Sequence, residues 1–116
     1  MAERARPVIR LGADGYPTEE TLRVIRDWPV VTSADAAAAM DYAGKAWSYP
    51  KYWRCWPRWR GKGELRPVRR YVFSTGGWSG NESIVAAIES NTMLQMLGAW
   101  SWRRGGHYEY RFRVAP

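Results

Sequence analysis

The sequence predicts an α+β fold in which two or three helices pack on a small, mostly antiparallel sheet. Residues 107–114 alternate strictly between polar and apolar side chains, which is typical of a strand with one buried face. Two N-terminal segments and residues 82–97 carry apolar residues at helical spacing. A strand at 68–75 and a hairpin at 99–114 would supply the sheet, and this order of elements favours helices layered on one face of it.

The chain has the size and composition of one globular domain, 1–116. It has 116 residues, of which 46% are hydrophobic, so it can bury a core and is not expected to be disordered. Residues 1–17 are expected to form a loosely ordered lead-in, because Gly12, Gly15 and Pro17 interrupt it. A short edge strand at 8–11 is compatible with the apolar residues there.

Two helices are predicted near the N-terminus. The first begins after Thr18, which can cap it, has two acidic residues in its first turn and ends before Pro29. The second begins at Ser33, passes through an alanine-rich stretch of high helix propensity and is closed by Pro50.

Residues 47–60 interleave tryptophan and tyrosine with lysine and arginine. Pro50 and Pro57 limit any helix there to one or two turns. The composition fits a stacking platform with phosphate contacts, or an interfacial membrane patch. The alternative is that arginines snorkel out or stack while the aromatic rings form core. Because aliphatic residues are scarce before residue 84, we favour core for at least three of the four tryptophans in this tract.

The C-terminal half predicts a buried helix and a hairpin. Residues 82–97 are apolar over much of the helix circumference, so most of this helix should be buried. A three-residue turn at 104–106 would place Trp102 opposite Tyr108 and Trp100 opposite Tyr110. This register gathers the aromatic residues on one face and leaves His107 and the charged residues on the other.

The net charge favours an anionic partner. Lysine and arginine number 18 against 11 acidic residues, giving a formal charge of +7. The alternative is that this charge only maintains solubility.

The single Cys55 and the single His107 can build neither a disulfide nor a zinc cluster, so no metal and no cofactor are expected. Without a signal peptide or a membrane-length apolar run, a cytoplasmic protein with no membrane partner is expected.

Two glycine-rich turns are the candidate site. The first, 74–82, follows a strand and precedes a helix, where glycines and helix N–H groups can approach an anion. It lacks the lysine of a phosphate-binding loop of the Walker type. The alternative is that Ser79 or Asn81 caps the helix and the glycines only make the turn.

The second turn, 103–107, joins two arginines to the only histidine, and its alternative is an ordinary solvated hairpin tip. The candidate ligand-binding residues are Ser74, Thr75, Gly76, Gly77, Trp78, Ser79, Gly80, Asn81, Arg103, Arg104 and His107.

The stretches Ser-Thr-Gly-Gly-Trp-Ser-Gly-Asn-Glu at 74–82 and Arg-Arg-Gly-Gly-His-Tyr at 103–108 resemble a set of small uncharacterised bacteriophage and prophage proteins. The resemblance covers roughly residues 18–113. It implies a phage setting and transfers no site residues. It also implies that the two motifs belong together, so that the strand ending at Thr75 and the hairpin would be neighbours in one sheet.

The sequence thus predicts a non-enzymatic binder of an anionic, phosphorylated nucleotide-like ligand, which in a phage setting could counteract host defence. The alternatives are a nucleic-acid-binding protein and a protein inhibitor of a host enzyme. No catalytic residues are expected, because no nucleophile, base and acid can be assembled around His107.

Overall fold

The computed structural model describes residues 8–103 and 105–114, and for residues 100–103 it describes the backbone. A single 3-10 turn, Pro50–Tyr52, precedes the first strand. The four strands described form one antiparallel sheet in the order β1-β2-β4-β3, so the predicted α+β fold is confirmed. The helices are α1 (Glu19–Asp27), α2 (Ser33–Ala46), α3 (Ser79–Ser90) and α4 (Thr92–Leu97), and the strands are β1 (Trp53–Trp59), β2 (Val68–Ser74), β3 (Ala99–Arg103) and β4 (His107–Arg113).

The first two helices begin where the sequence predicts. The Thr18 side chain accepts a hydrogen bond from the Thr21 amide at the start of α1. At the start of α2, Thr32 and Asp35 form a reciprocal capping box. The Val31 and Thr32 amides donate to the Asp35 carboxylate and lower its pKa.

The described part of the lead-in is tied to α1. The Arg10 carbonyl accepts hydrogen bonds from the hydroxyls of Thr18 and Thr21. Residues 8–11 do not form the short edge strand considered above, and only an isolated bridge joins Leu11 to Pro17. Residues 8–17 are therefore connected to α1 by hydrogen bonds of Arg10, and residues 1–7 lie outside the described part.

The prediction of one helix over 82–97 is wrong, because the helical segment begins at Ser79 and is broken at Asn91. The Asn91 side-chain oxygen accepts from the Leu94 amide and so caps α4. Its side-chain amide donates to the Ile25 and Trp28 carbonyls at the end of α1. The buried Asn91 thus caps the start of α4 and donates hydrogen bonds to two carbonyls at the end of α1. Apolar periodicity in the sequence reveals neither contact.

The break also changes which apolar residues are buried. Ile84, Ile88 and Leu94 are fully buried. Met93 and Met96, which the continuous helix would bury, are 38% and 72% exposed. The prediction that this segment is mostly buried therefore holds for α3 and fails for much of α4.

The predicted hairpin register is confirmed. Trp100 pairs with Tyr110, Trp102 with Tyr108, and Arg103 with His107, so three residues of the chain separate the paired ends of the two strands. Tyr110 and Phe112 are buried, whereas His107 and Arg113 are exposed. Hydrophobic alternation was enough to fix the pairing, since a shift of one residue would expose the aromatic face.

The helices cover one face of the sheet. Tyr71 and Phe73 of β2 and Tyr110 and Phe112 of β4 are at most 2% exposed and form the centre of the core with residues of the helices. Their neighbours along each strand point to the opposite side. We call that side the open face. Its residues are Arg54, Trp56, Trp59, Val68, Arg70, Val72, Ser74, His107, Glu109, Arg111 and Arg113.

Within 47–60, the single helical turn Pro50–Tyr52 agrees with the limit of one or two turns, and strand β1, which the sequence did not predict, follows it. Its register is interrupted by a bulge between Trp56 and Trp59, and Pro57 lies in the interrupted stretch. A proline is compatible with an edge strand and with a bulge, where no ladder hydrogen bond is lost. Pro57 therefore did not exclude a strand, although it excludes a long helix.

The four tryptophans of this tract divide between the two faces. Trp47 is buried, and Trp53 packs against the core and stacks on Phe73 with ring centroids 4.4 Å apart. Trp56 and Trp59 are half-buried and lie on the open face. The prediction that at least three of these tryptophans are core is therefore wrong, since two of them lie on the open face.

Candidate anion-binding site

The two glycine-rich turns lie next to each other, as predicted. Strands β2 and β4 are neighbours, and Ser74 is paired with His107 across them. The Thr75 amide donates to the Gly106 carbonyl over 3.0 Å. A hydrogen bond of 2.6 Å joins Ser74 Oγ to His107 Nδ1. The ends of the two strands thus bring a serine and the only histidine together at one corner of the open face.

Close approach of the turns requires glycine at position 106. Gly106 has φ +76, and a Cβ atom there would overlap the Thr75 hydroxyl. We expect Gly106→Ala to lower the free energy of unfolding by about 2 kcal/mol or more, because left-handed backbone strain adds to this overlap. Gly105→Ala is the matched control, since Gly105 also has positive φ but an added Cβ atom would lie 3.5 Å from His107 Nε2, at ordinary contact distance. Chemical denaturation measures both, and equal losses would contradict the steric argument.

Thr75 and Asn81 lie in the interior of the protein. Thr75 is 2% exposed, and Asn81 is fully buried. The Asn81 side-chain oxygen accepts from the Ser48 amide, and its nitrogen donates to the Ser48 and Thr75 carbonyls. Neither of these two predicted site residues is therefore placed to contact a ligand, although Asn81 fixes the first turn against the segment before β1.

The start of α3 is covered by the protein's own side chains. The N-cap residue is Trp78, without a side-chain hydrogen bond, so the alternative that Ser79 or Asn81 caps this helix is wrong. The Trp78 ring packs closely over Gly80 and contacts Tyr16, with ring centroids 4.6 Å apart. The Tyr16 hydroxyl and Ser79 Oγ share a hydrogen bond of 2.8 Å. The Trp78 ring thus packs against Tyr16 of the lead-in.

The remaining predicted residues lie at the tips of the turns. Gly76 and Gly77 are exposed and have positive φ, and the Tyr52 ring lies beside Gly76. Arg104 lies outside the described residues, and Arg103 is described only by its backbone, in register with His107.

A cleft of about 400 Å³ opens on this corner of the open face. It is lined by Lys51, Tyr52, Arg54, Val72 and Ser74. Of the predicted site residues only Ser74 lines it, and His107 is joined to it through Ser74. The volume lies within the roughly 300–1,000 Å³ of small-molecule sites. The sequence analysis named Lys51, Tyr52 and Arg54 only as members of the 47–60 tract, because it did not predict that β1, which follows the turn Pro50–Tyr52, pairs with β2.

The cations of the open face fall into two groups. Arg70 Nε lies 2.9 Å from Glu109, and Arg111 Nη1 lies 2.9 Å from Glu64 and also pairs with Glu109. In the described part of the chain, Lys51 and Arg54 form no ion pair. The cleft therefore carries two positive charges, on Lys51 and Arg54, that no described carboxylate compensates.

Comparison with protein-family models, with curated proteins and with solved structures gives no match. Among the described residues, no three of the His, Cys, Asp and Glu side chains are grouped so that they could hold a metal ion. None of the helices described has the length and apolar character needed to cross a membrane.

Next to the cleft, the open face carries a stack of indole and guanidinium groups. The Arg70 guanidinium lies 4.8 Å from the Trp56 ring and 4.6 Å from the Trp59 ring, and Arg111 lies 4.7 Å from the Trp59 ring. Such contacts are favourable because the ring faces are electron-rich. Arginines therefore do stack on Trp56 and Trp59, as one interpretation of the sequence held. These arginines belong to β2 and β4, however, and not to the 47–60 tract itself.

The carboxylate of Glu109 holds this stack together. Hydrogen bonds from Arg70 lower the pKa of Glu109, whereas burial alone would raise it. Together with Arg111, they bring the pKa below its ordinary value of 4.5. A carboxyl with a lowered folded-state pKa stabilises the protein above the unfolded-state pKa, and this contribution is lost as the pH falls through the folded-state pKa. We expect Glu109→Gln to cost about 1–2 kcal/mol at neutral pH and progressively less below pH ~4.5. Denaturation curves across this pH range test it, and a cost independent of pH would contradict it.

Proposed function

We propose that this protein binds an anionic, phosphorylated nucleotide-like ligand in the cleft on the open face, without catalysing a reaction on it. The observation that carries the proposal is the pair of cations, Lys51 and Arg54, that line the cleft and have no ion pair among the described residues. Charge-assisted hydrogen bonds from such groups to phosphate oxygens are stronger than neutral ones.

Further groups at the cleft suit the rest of a nucleotide. Tyr52 is 40% exposed and offers a ring on which a base can stack. The Ser74–His107 pair adds polar groups that can donate to a phosphate or a sugar hydroxyl. No carboxylate hydrogen-bonds to His107 within the described residues, so the proposal assigns this pair to binding.

The backbone two residues before Lys51 is also strained. Tyr49 has φ +61 and is the only non-glycine residue with positive φ among those described. Its ring lies 6.0 Å from that of Tyr52. Strained residues cluster at ligand sites because the surroundings must hold them in place, which is consistent with a binding role for this segment. The resemblance to phage proteins suggests that such a binder would sequester a host nucleotide signal.

Thermal-shift measurements with a panel of nucleotides test the proposal. The panel should include nucleoside monophosphates, cyclic nucleotides, the matching nucleosides and a sugar phosphate. We expect nucleotides to raise Tm and the uncharged nucleosides to have little effect, because binding stabilises the folded state in proportion to occupancy. No shift with any nucleotide at concentrations up to the millimolar range would refute the proposal.

A further inference from the structure

The open face continues as a basic and aromatic surface beyond the cleft. In the strand register, Arg54 pairs with Val72, which in turn pairs with Glu109. Four residues farther along β4, Arg113 pairs with Val68. Arg113 is exposed and forms no ion pair among the described residues. Arg54 and Arg113 thus mark two separate uncompensated cations on one face.

The spacing of these two cations exceeds the size of one nucleotide. They lie two strands and four residues apart, which corresponds to roughly 16 Å between backbones at ~4.8 Å per strand and ~3.3 Å per residue. A mononucleotide in the cleft cannot reach Arg113, but a polynucleotide chain can contact both ends.

Planar groups occupy the surface between the two ends. Trp56, Arg70, Trp59 and Arg111 alternate indole and guanidinium, and Trp56 and Trp59 are half-buried. Unpaired bases stack on aromatic rings and on arginine planes alike. Glu109 and Glu64 pair with Arg70 and Arg111 and hold their guanidinium planes in position. Because these two arginines are neutralised, the contacts to phosphate are left to Arg54 and Arg113 at the two ends of the surface.

We infer that the ligand is single-stranded nucleic acid, with one nucleotide in the cleft and the chain crossing the open face towards Arg113. The inference rests on the proposed function and names its ligand class. A formal net charge of +7 complements a polyanion. Aromatic rings and arginine planes on a sheet face can receive unpaired bases, whereas the bases of a duplex are already stacked on one another.

Calorimetric titration with thymidine monophosphate and with an oligothymidylate of about six nucleotides tests the inference. We expect the oligonucleotide to bind at least about tenfold more tightly, because additional stacked bases and a second phosphate contact contribute. Equal affinities per protein for the two ligands would overturn the inference and leave the proposed function standing. Binding of neither ligand would overturn the inference, with the nucleotide panel deciding the proposed function separately, and equally tight binding of a duplex of the same length would overturn the single-strand assignment.

The variant Arg113→Ala tests the path across the face. We expect it to weaken oligonucleotide binding about three- to tenfold and to reduce the slope of log affinity against log salt by about 1, without changing monophosphate binding. Arg23→Ala is the matched control, because Arg23 is an exposed arginine on α1. If Arg113→Ala and Arg23→Ala behave alike, the chain does not run towards Arg113 and the inference fails.

Discussion

Replacing Asn81 by alanine is expected to lower the free energy of unfolding by about 3 kcal/mol or more. The substitution leaves the Ser48 amide and the Ser48 carbonyl without the partner that Asn81 supplies, and a group left unpaired in the interior costs about 1–3 kcal/mol. It also removes one of the two hydrogen bonds to the Thr75 carbonyl, which keeps its bond from the Trp78 amide. The loss is large because Asn81 is fully buried, so water does not replace the side chain without rearrangement.

Urea denaturation of the wild-type protein and the Asn81→Ala variant measures this effect. Ser90→Ala provides the control, since Ser90 lies on the same helix and is exposed, and its effect should stay within about 0.5 kcal/mol. If the two variants lose similar amounts, the asparagine does not fix the first turn as the hydrogen bonds indicate.

Removing both cations of the cleft, in the double variant Lys51→Ala/Arg54→Ala, is expected to weaken nucleotide binding about a hundredfold. Each charge-assisted hydrogen bond to a phosphate contributes about 1.5 kcal/mol or more, and about 1.4 kcal/mol corresponds to a tenfold change in Kd. Neither residue forms an ion pair with another described side chain, so the fold should tolerate the change.

The matched control removes the same charge from another part of the surface. Arg23→Ala/Lys45→Ala changes two exposed cations on α1 and α2. Titration calorimetry at fixed salt should show near wild-type affinity for this control. If both double variants bind equally weakly, net charge alone governs binding and the cleft is not the site.

Local sequence features predicted much of the fold. Thr18 and the acidic residues after it located α1, and alternation over 107–114 fixed the register of the hairpin. These predictions succeeded because each depends on neighbours in the chain. The break at Asn91 was not predictable, since its side chain pairs with the Ile25 and Trp28 carbonyls more than 60 residues away.

The site was predicted only in part, for a related reason. The two glycine-rich turns were expected to meet, and Ser74 and His107 do meet. Lys51 and Arg54 were seen in the sequence as part of an aromatic and basic tract, but their contribution to the cleft depends on the pairing of β1 with β2. Whether a tryptophan faces the helices or the open face likewise follows from strand pairing, which composition does not specify.

Amide chemical-shift mapping during titration with a nucleoside monophosphate tests the central claim most directly. A ligand in the cleft should shift the amides of residues 51–54, 72–77 and 105–107 and leave those of α1 and α2 largely unchanged. Shifts confined to the helices, or no shifts at millimolar ligand, would contradict the claim that the open face of the sheet binds a nucleotide-like anion.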